Sequence, residues 1–136
     1  MQNTIITRPD EDILDDIHSL FTTYPPLQHD RHAVSIRVER GVVTLEGHIK
    51  AMPTYRYLQA NLPKVKGIRH INADRLYEDE TIRREVGKVI PVGMQVRVEY
   101  GVVILTGKLP EAMTVEDVVN HVASVNGVQR ILTTFG

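Results

Sequence analysis

The side chains best suited to chemistry lie in His29-Asp30-Arg31-His32, where two imidazoles and a carboxylate, with His18 upstream, are donor types that hold zinc or a similar ion. Their spacing matches no metal motif and a polar loop leading into a strand accounts for them, so no metal or cofactor is assigned. A second set, Arg37 and His70 with their counterparts Arg97 and Arg130, falls on outward strand positions and could bind a phosphate or carboxylate. Solvated surface charge is the plainer account of these four. A third set, Lys50, Met52, Arg56 and Tyr57, with Lys108, Ala112 and Met113 in the second half, sets apolar tips beside cations, as a bilayer interface requires. Against that reading, Glu111, Glu116 and Asp117 would repel anionic lipid, Met52 or Met113 could cap a core, and Tyr55 takes a core-facing slot. Tyr24-Pro25-Pro26-Leu27 is either a pre-ordered docking segment or a rigid loop. No catalytic residue is assigned, because the chain has no nucleophile elbow, no phosphate-cradling glycine loop and no carboxylate pair at motif spacing.

The elements that carry these residues are used twice. Arg37-Val38-Glu39-Arg40-Gly41-Val42-Val43-Thr44-Leu45-Glu46-Gly47 returns at an offset of 60 as Arg97-Val98-Glu99-Tyr100-Gly101-Val102-Val103-Ile104-Leu105-Thr106-Gly107, with eight of eleven residues identical. Ile13, Leu14, Ile17, Leu20 and Phe21 form a helical stripe behind Asp10-Glu11-Asp12, whose acids suit the positive end of a helix. Ile82, Val86, Val89 and Ile90 repeat it at an offset of 69, behind Glu78-Asp79-Glu80. The difference of nine residues places an insert around Thr22 to Arg31, expected to be a loop by its prolines.

Alternation then turns Val34, Ile36 and Val38 inward with Ser35 and Arg37 outward, and Met94, Val96 and Val98 inward around Gln95 and Arg97. Each strand enters a hairpin at Arg40-Gly41 or Tyr100-Gly101. Since Arg and Tyr are poor at the first centre of a type I′ turn, a type I turn closed by a glycine bulge is expected. A second helix follows, with Thr54, Tyr55, Leu58, Gln59 and Leu62 on one face in the first copy. In the second, Val115, Val118, Val119 and Val122 follow the capping box Thr114-Val115-Glu116-Asp117. Gly67 and Gly127 are expected to stop these helices, and Pro63 to shorten the first. Closing strands point Ile71, Ala73, Ile131 and Thr133 inward and His70 and Arg130 outward.

The expected fold is α+β: two tandem αββαβ modules, each a three-stranded mixed sheet with two helices on one face. Residues 1–9 form a tail, 10–76 the first module and 77–136 the second, joined by a short junction near Asp74 to Glu78. Val102 and Ile104 make the second outward sheet face the more apolar, a candidate contact for the other module or a second copy in a homo-oligomer.

Composition narrows partners. With 42% hydrophobic and 24% charged residues the chain is of a folding class. Lys+Arg 16 against Asp+Glu 17 gives no field to attract nucleic acid. No cysteine is available as a nucleophile, metal ligand or lipid anchor, the start lacks a secretory pattern, and no apolar run approaches the ~20 residues of a membrane span, so a cytoplasmic location is expected.

Gly41, Val42, Val43, Leu45, Gly47, Gly67, Ile68 and Ile71, repeated as Gly101, Val102, Val103, Leu105, Gly107, Gly127, Val128 and Ile131, resemble the BON-domain family twice over. The resemblance implies a bacterial, non-enzymatic binding or adaptor protein, peripherally associated with phospholipid membranes or a protein complex. It also implies a link with transport and osmotic stress for some members. The family's turn asparagine is replaced by Arg40 and Tyr100. The alternative is a soluble sensor that binds a small ligand or ion between its modules.

Overall fold

The computed structural model describes residues 7–136, so the first six residues of the expected tail lie outside the described residues. The first helix, α1 (Asp10–Thr23), buries Ile13, Ile17 and Phe21, one turn apart along a single face. The proline-rich insert is not a loop: Pro25–Asp30 forms a short helix, α2, continued by a 3-10 turn over Arg31–Ala33. Proline is helix-compatible here because its fixed φ suits a first turn whose N–H groups have no partner anyway. Leu27 becomes fully buried and Asp30 nearly so.

Strands β1 (Val34–Glu39) and β2 (Val42–Ile49) pair antiparallel, and β3 (His70–Glu78) pairs parallel to β2, so β2 is central. The second sheet repeats this order with β4 (Met94–Glu99), β5 (Val102–Gly107) and β6 (Arg130–Phe135). Helix α3 (Met52–Asn61) crosses from β2 to β3, and α5 (Val115–Ala123) from β5 to β6. Each module has its own core. In the first, α1, α2, α3 and β2 meet over Ile17, Leu27, Val43 and Leu58; in the second, α4 (Asp79–Gly87) and α5 bring Ile82, Val86, Val118 and Val122 onto Val103 and Leu105. The mixed α+β, two-module expectation therefore holds.

Several local expectations are corrected. Gln59, Val89 and Val115 face solvent, each at the margin of its helical stripe. Helices α3 and α5 end at Asn61 and Ala123, well before Gly67 and Gly127. Pro63 lies in a 3-10 turn over Leu62–Lys64, and Ser124 already donates its N–H to His121 two residues after Val122. The glycines close the turn that follows, with φ of 93° and 92°. The capping box forms as read: Asp117 N–H donates to the Thr114 hydroxyl and Thr114 N–H to the Asp117 carboxylate. No linker separates the modules, since β3 runs unbroken past residues 76 and 77 and α4 begins at Asp79, capped by the Glu78 side chain.

The hairpin turns differ most from expectation. Arg40 and Gly41 have φ of 51° and 79°, Tyr100 and Gly101 of 46° and 80°. Both are two-residue loops, Glu39 pairing Val42 and Glu99 pairing Val102, with positive φ at both centres. That is the type I′ geometry, whose twist matches the strands. Asp10 and Asp79 supply the stabilisation that overrides the poor intrinsic fit of Arg and Tyr. Asp10 accepts the N–H groups of Arg40 and Gly41 at 2.8 and 2.9 Å, and Asp79 those of Tyr100 and Gly101 at 2.7 and 3.0 Å.

Candidate functional site

Each module has a turn end, made of its I′ hairpin, the helix-start aspartate and the glycine before the closing strand. In module 2 this end comprises Tyr100-Gly101, Asp79 and Gly127, and it is seated on module 1. The His48 ring donates from Nε2 to the Gly127 carbonyl at 2.7 Å. The Tyr100 hydroxyl donates to Asp30 at 2.8 Å, while the other Asp30 oxygen accepts the Lys50 N–H at 3.1 Å. His32 packs edge-on to the Tyr100 ring at 4.7 Å, and the Lys50 ammonium lies 5.2 Å from that ring and 3.8 Å from Glu99. Only glycine fits opposite this surface: a Cβ on Gly101 would fall 2.3 Å from His48 Nε2, and one on Gly127 would fall 2.7 Å from the Tyr77 ring.

This contact changes the electrostatics of its members. Burial, followed by donation to Asp30 and the charge of that carboxylate, pushes the Tyr100 phenol well above its ordinary value. Burial also raises the Asp79 carboxyl, opposed by its bonds from Tyr100 and Gly101 and by the charge of His48.

Of the possible donors His29, Asp30 and His32, to which no metal is assigned, two are engaged elsewhere. Asp30 is buried in the module contact, and His32 Nδ1 lies 3.1 Å from the His29 carbonyl. His18 shares with His32 a surface hollow beside α1. The expected membrane tips are likewise dispersed. Lys50 turns into the module contact, Tyr57 stacks on Tyr24 with ring centroids 3.8 Å apart, and Met113 packs against the second core. Met52 lines the cleft between the modules, leaving Arg56 and Lys108 exposed to solvent.

Among the described residues, the turn end of module 1 has no second module seated on it. Arg37 and His70 are brought together there, in a basin of about 820 Å³ also lined by Arg40, Arg69, Asp10 and Glu39. Four basic side chains thus face two acids, one of which is committed to the turn. Arg37 approaches Glu46 only at 4.0 Å, both groups being solvent-exposed. In module 2, Arg97 and Arg130 hold the corresponding positions on the outer strands β4 and β6, two strands across and two residues along from one another, about 12 Å apart, with Val102 and Ile104 between them. That face also exposes Leu132.

Sequence reading missed Asp10, Asp79, Arg69, His48 and Tyr77. Two signals could have found some of them: Asp10 and Asp79 sit at the same offset of 69 as the helices, and so do Arg8 and Tyr77. Arg8 and Tyr77 cover Gly67 and Gly127 respectively, so the two ends are built alike down to this packing residue.

Among the described residues no helix is long and apolar enough to cross a membrane. No curated protein matches the chain. Solved structures of similar fold include CdsD, a structural protein of the Type III secretion system of Chlamydia trachomatis. It matches at a TM-score of 0.73 and 14% identity over 94% of this chain and 63% of that one. The chain thus spans less than two thirds of that structure. A structure of the CdsD C-terminal domain, from the same organism, matches at a TM-score of 0.71 and 15% identity, over 98% of this chain and 68% of that one. At such identities the likeness concerns the fold alone. Over residues 78–134, which span most of the second module, the chain matches the BON domain.

Proposed function

We propose that the chain is a non-enzymatic adaptor of two BON modules, residues 10–76 and 77–136, that uses the open turn end of module 1 to hold an acidic surface of a protein partner in the cytoplasm. Assignment of the first module to the BON family rests on its shared strand order, its shared I′ turn and the matching aspartate cradle.

One observation carries the reading: the internal contact is a template for what such an end does. Module 2 presents Tyr100 to a carboxylate, Asp30, and its Gly127 carbonyl to a donor, His48. Module 1 offers the same end with Arg40 in place of Tyr100 and Arg69 in place of Gln129. Arginine pairs with carboxylates in a bidentate fork, so the substitution keeps the acidic preference and strengthens it. A phospholipid surface is the less favoured occupant, because the cations and apolar tips that would insert are dispersed.

The test is affinity capture from cells that express the chain, beside flotation with phosphatidylglycerol vesicles. The expected result is a protein partner retained by wild type and by Arg97→Glu, lost with Arg40→Glu/Arg69→Glu, and no flotation. Flotation abolished by the same pair moves the reading to a membrane, and indifference of both assays to the pair removes it.

A further inference from the structure

Between α3 and the end of β3 on one side, and α4 with the turn after α5 on the other, lies a cavity of about 740 Å³. That volume is of the size that encloses a small molecule. On its wall is Glu78, 6% exposed. Its Oε1 accepts the Thr81 N–H at 3.0 Å and the Thr81 hydroxyl, while Oε2 is buried with no hydrogen-bond partner among the described residues. A carboxylate oxygen hidden from water without a donor is costly, and turning the Glu78 carboxylate toward a ligand N–H in the cleft removes the cost.

The surroundings select the ligand's charge. Asp74 and Glu85 line the same cavity, and the facing cation, Lys88, is already held by Glu85 at 3.0 Å. An anion is disfavoured on this wall. No three His, Cys, Asp or Glu side chains among the described residues gather to hold a metal ion. Tyr55 and Tyr77 line the cavity with aromatic surface suited to a cation, and Leu76, Ile82 and Val125 offer apolar wall to methylene groups.

We propose that this cleft binds an aliphatic ammonium compound, an alkylamine or diamine with one N–H directed to Glu78 Oε2 and its chain lying between the modules. A quaternary ammonium lacks the donor and binds less well. The site is separate from the turn end of module 1, so either assignment can fail without the other.

The test is an amide chemical-shift titration of the whole chain with 1,4-diaminobutane, butylamine and tetramethylammonium as chlorides at matched ionic strength. Saturable shifts at Tyr55, Thr81 and Val125 are expected with the diamine, and binding at least about tenfold weaker with tetramethylammonium. Glu78→Gln keeps an oxygen for Thr81 and is expected to weaken diamine binding at least about tenfold. Asn126→Trp, at an exposed position on the rim, fills the cleft and blocks binding even if Glu78→Gln does not fold. Absence of saturable shifts at millimolar diamine, equal response to tetramethylammonium, or unchanged binding to Asn126→Trp overturns the proposal.

Discussion

The Asp79 carboxylate accepts the backbone N–H of Tyr100 at 2.7 Å, so the first residue of α4 fixes the conformation of a turn 21 positions later in the chain. The adjacent Gly101 N–H completes the pair at 3.0 Å. Asp10 does the same for Arg40 and Gly41 in the first module. A helix start and a hairpin that share no local sequence are therefore one unit, and positioning of the turn end depends on both.

Removing Asp79 tests that unit. Asp79→Ala leaves two N–H groups of a tight turn without acceptors and is expected to lower stability by about 1–3 kcal/mol in urea unfolding. Asp79→Asn, with one acceptor oxygen, should fall between. Asp10→Ala is expected to cost less than Asp79→Ala, because Arg40 is exposed, so water can replace the acceptor lost at its N–H, whereas Tyr100 is half-buried. Equal midpoints for wild type and Asp79→Ala would show that the turn holds its geometry without the carboxylate.

The same residue sets a pH dependence. Burial raises the folded-state value of the Asp79 carboxyl above its ordinary 3.8. The folded chain then binds that proton more tightly than the unfolded chain. The group's contribution is most favourable below 3.8 and declines as pH rises through the raised folded value, levelling above it. The stability of wild type minus that of Asp79→Asn should therefore decrease as pH rises from 3.8 across this window. A flat or rising difference would contradict burial as the dominant influence.

Much of the scaffold was legible because it rests on local pattern. The stripe Ile13, Ile17, Phe21, the inward valines of each hairpin and the Thr114–Asp117 box form as their spacing dictates. The turn type was not legible, since its cause lies 30 residues away in Asp10. Nor was α2, because a Pro-Pro pair reads alike as a loop and as a helix start until Leu27 finds the core. Alternation placed Arg37 and His70 outward on one face, whereas Arg40 and Arg69 joined them only through turn geometry and strand order. The module contact enlisted Lys50, and Tyr24 enlisted Tyr57, through packing that no single-segment pattern encodes.

Arg40 and Tyr100 occupy equivalent left-handed positions but should answer oppositely to the residue that such turns prefer. Arg40 is exposed, so Arg40→Asn is expected to gain up to about 1 kcal/mol by relieving the left-handed penalty. Tyr100→Asn gains the same relief yet forfeits the Asp30 hydrogen bond and the His32 and Lys50 contacts, and should unfold at lower denaturant. Parallel behaviour of the two variants would mean that the Tyr100 contacts add nothing to stability.

Whether the modules are fastened by one cooperative contact or by independent bonds is decided by His48 and Tyr100. His48→Ala removes the donor to the Gly127 carbonyl, and Tyr100→Phe removes only the hydroxyl given to Asp30. Each change is expected to cost about 1 kcal/mol. The two bonds share no atom, yet both hold one rigid turn end against module 1, where Gly101 lies directly beneath the His48 ring. Once either bond is lost, the end can shift enough to weaken the other. The double variant should then lose less than the sum of the singles, with a coupling of at least about 0.5 kcal/mol in unfolding experiments. Strict additivity would mean that the turn end stays seated without either bond, and that shape alone, through Gly101 and Gly127, keeps the modules together.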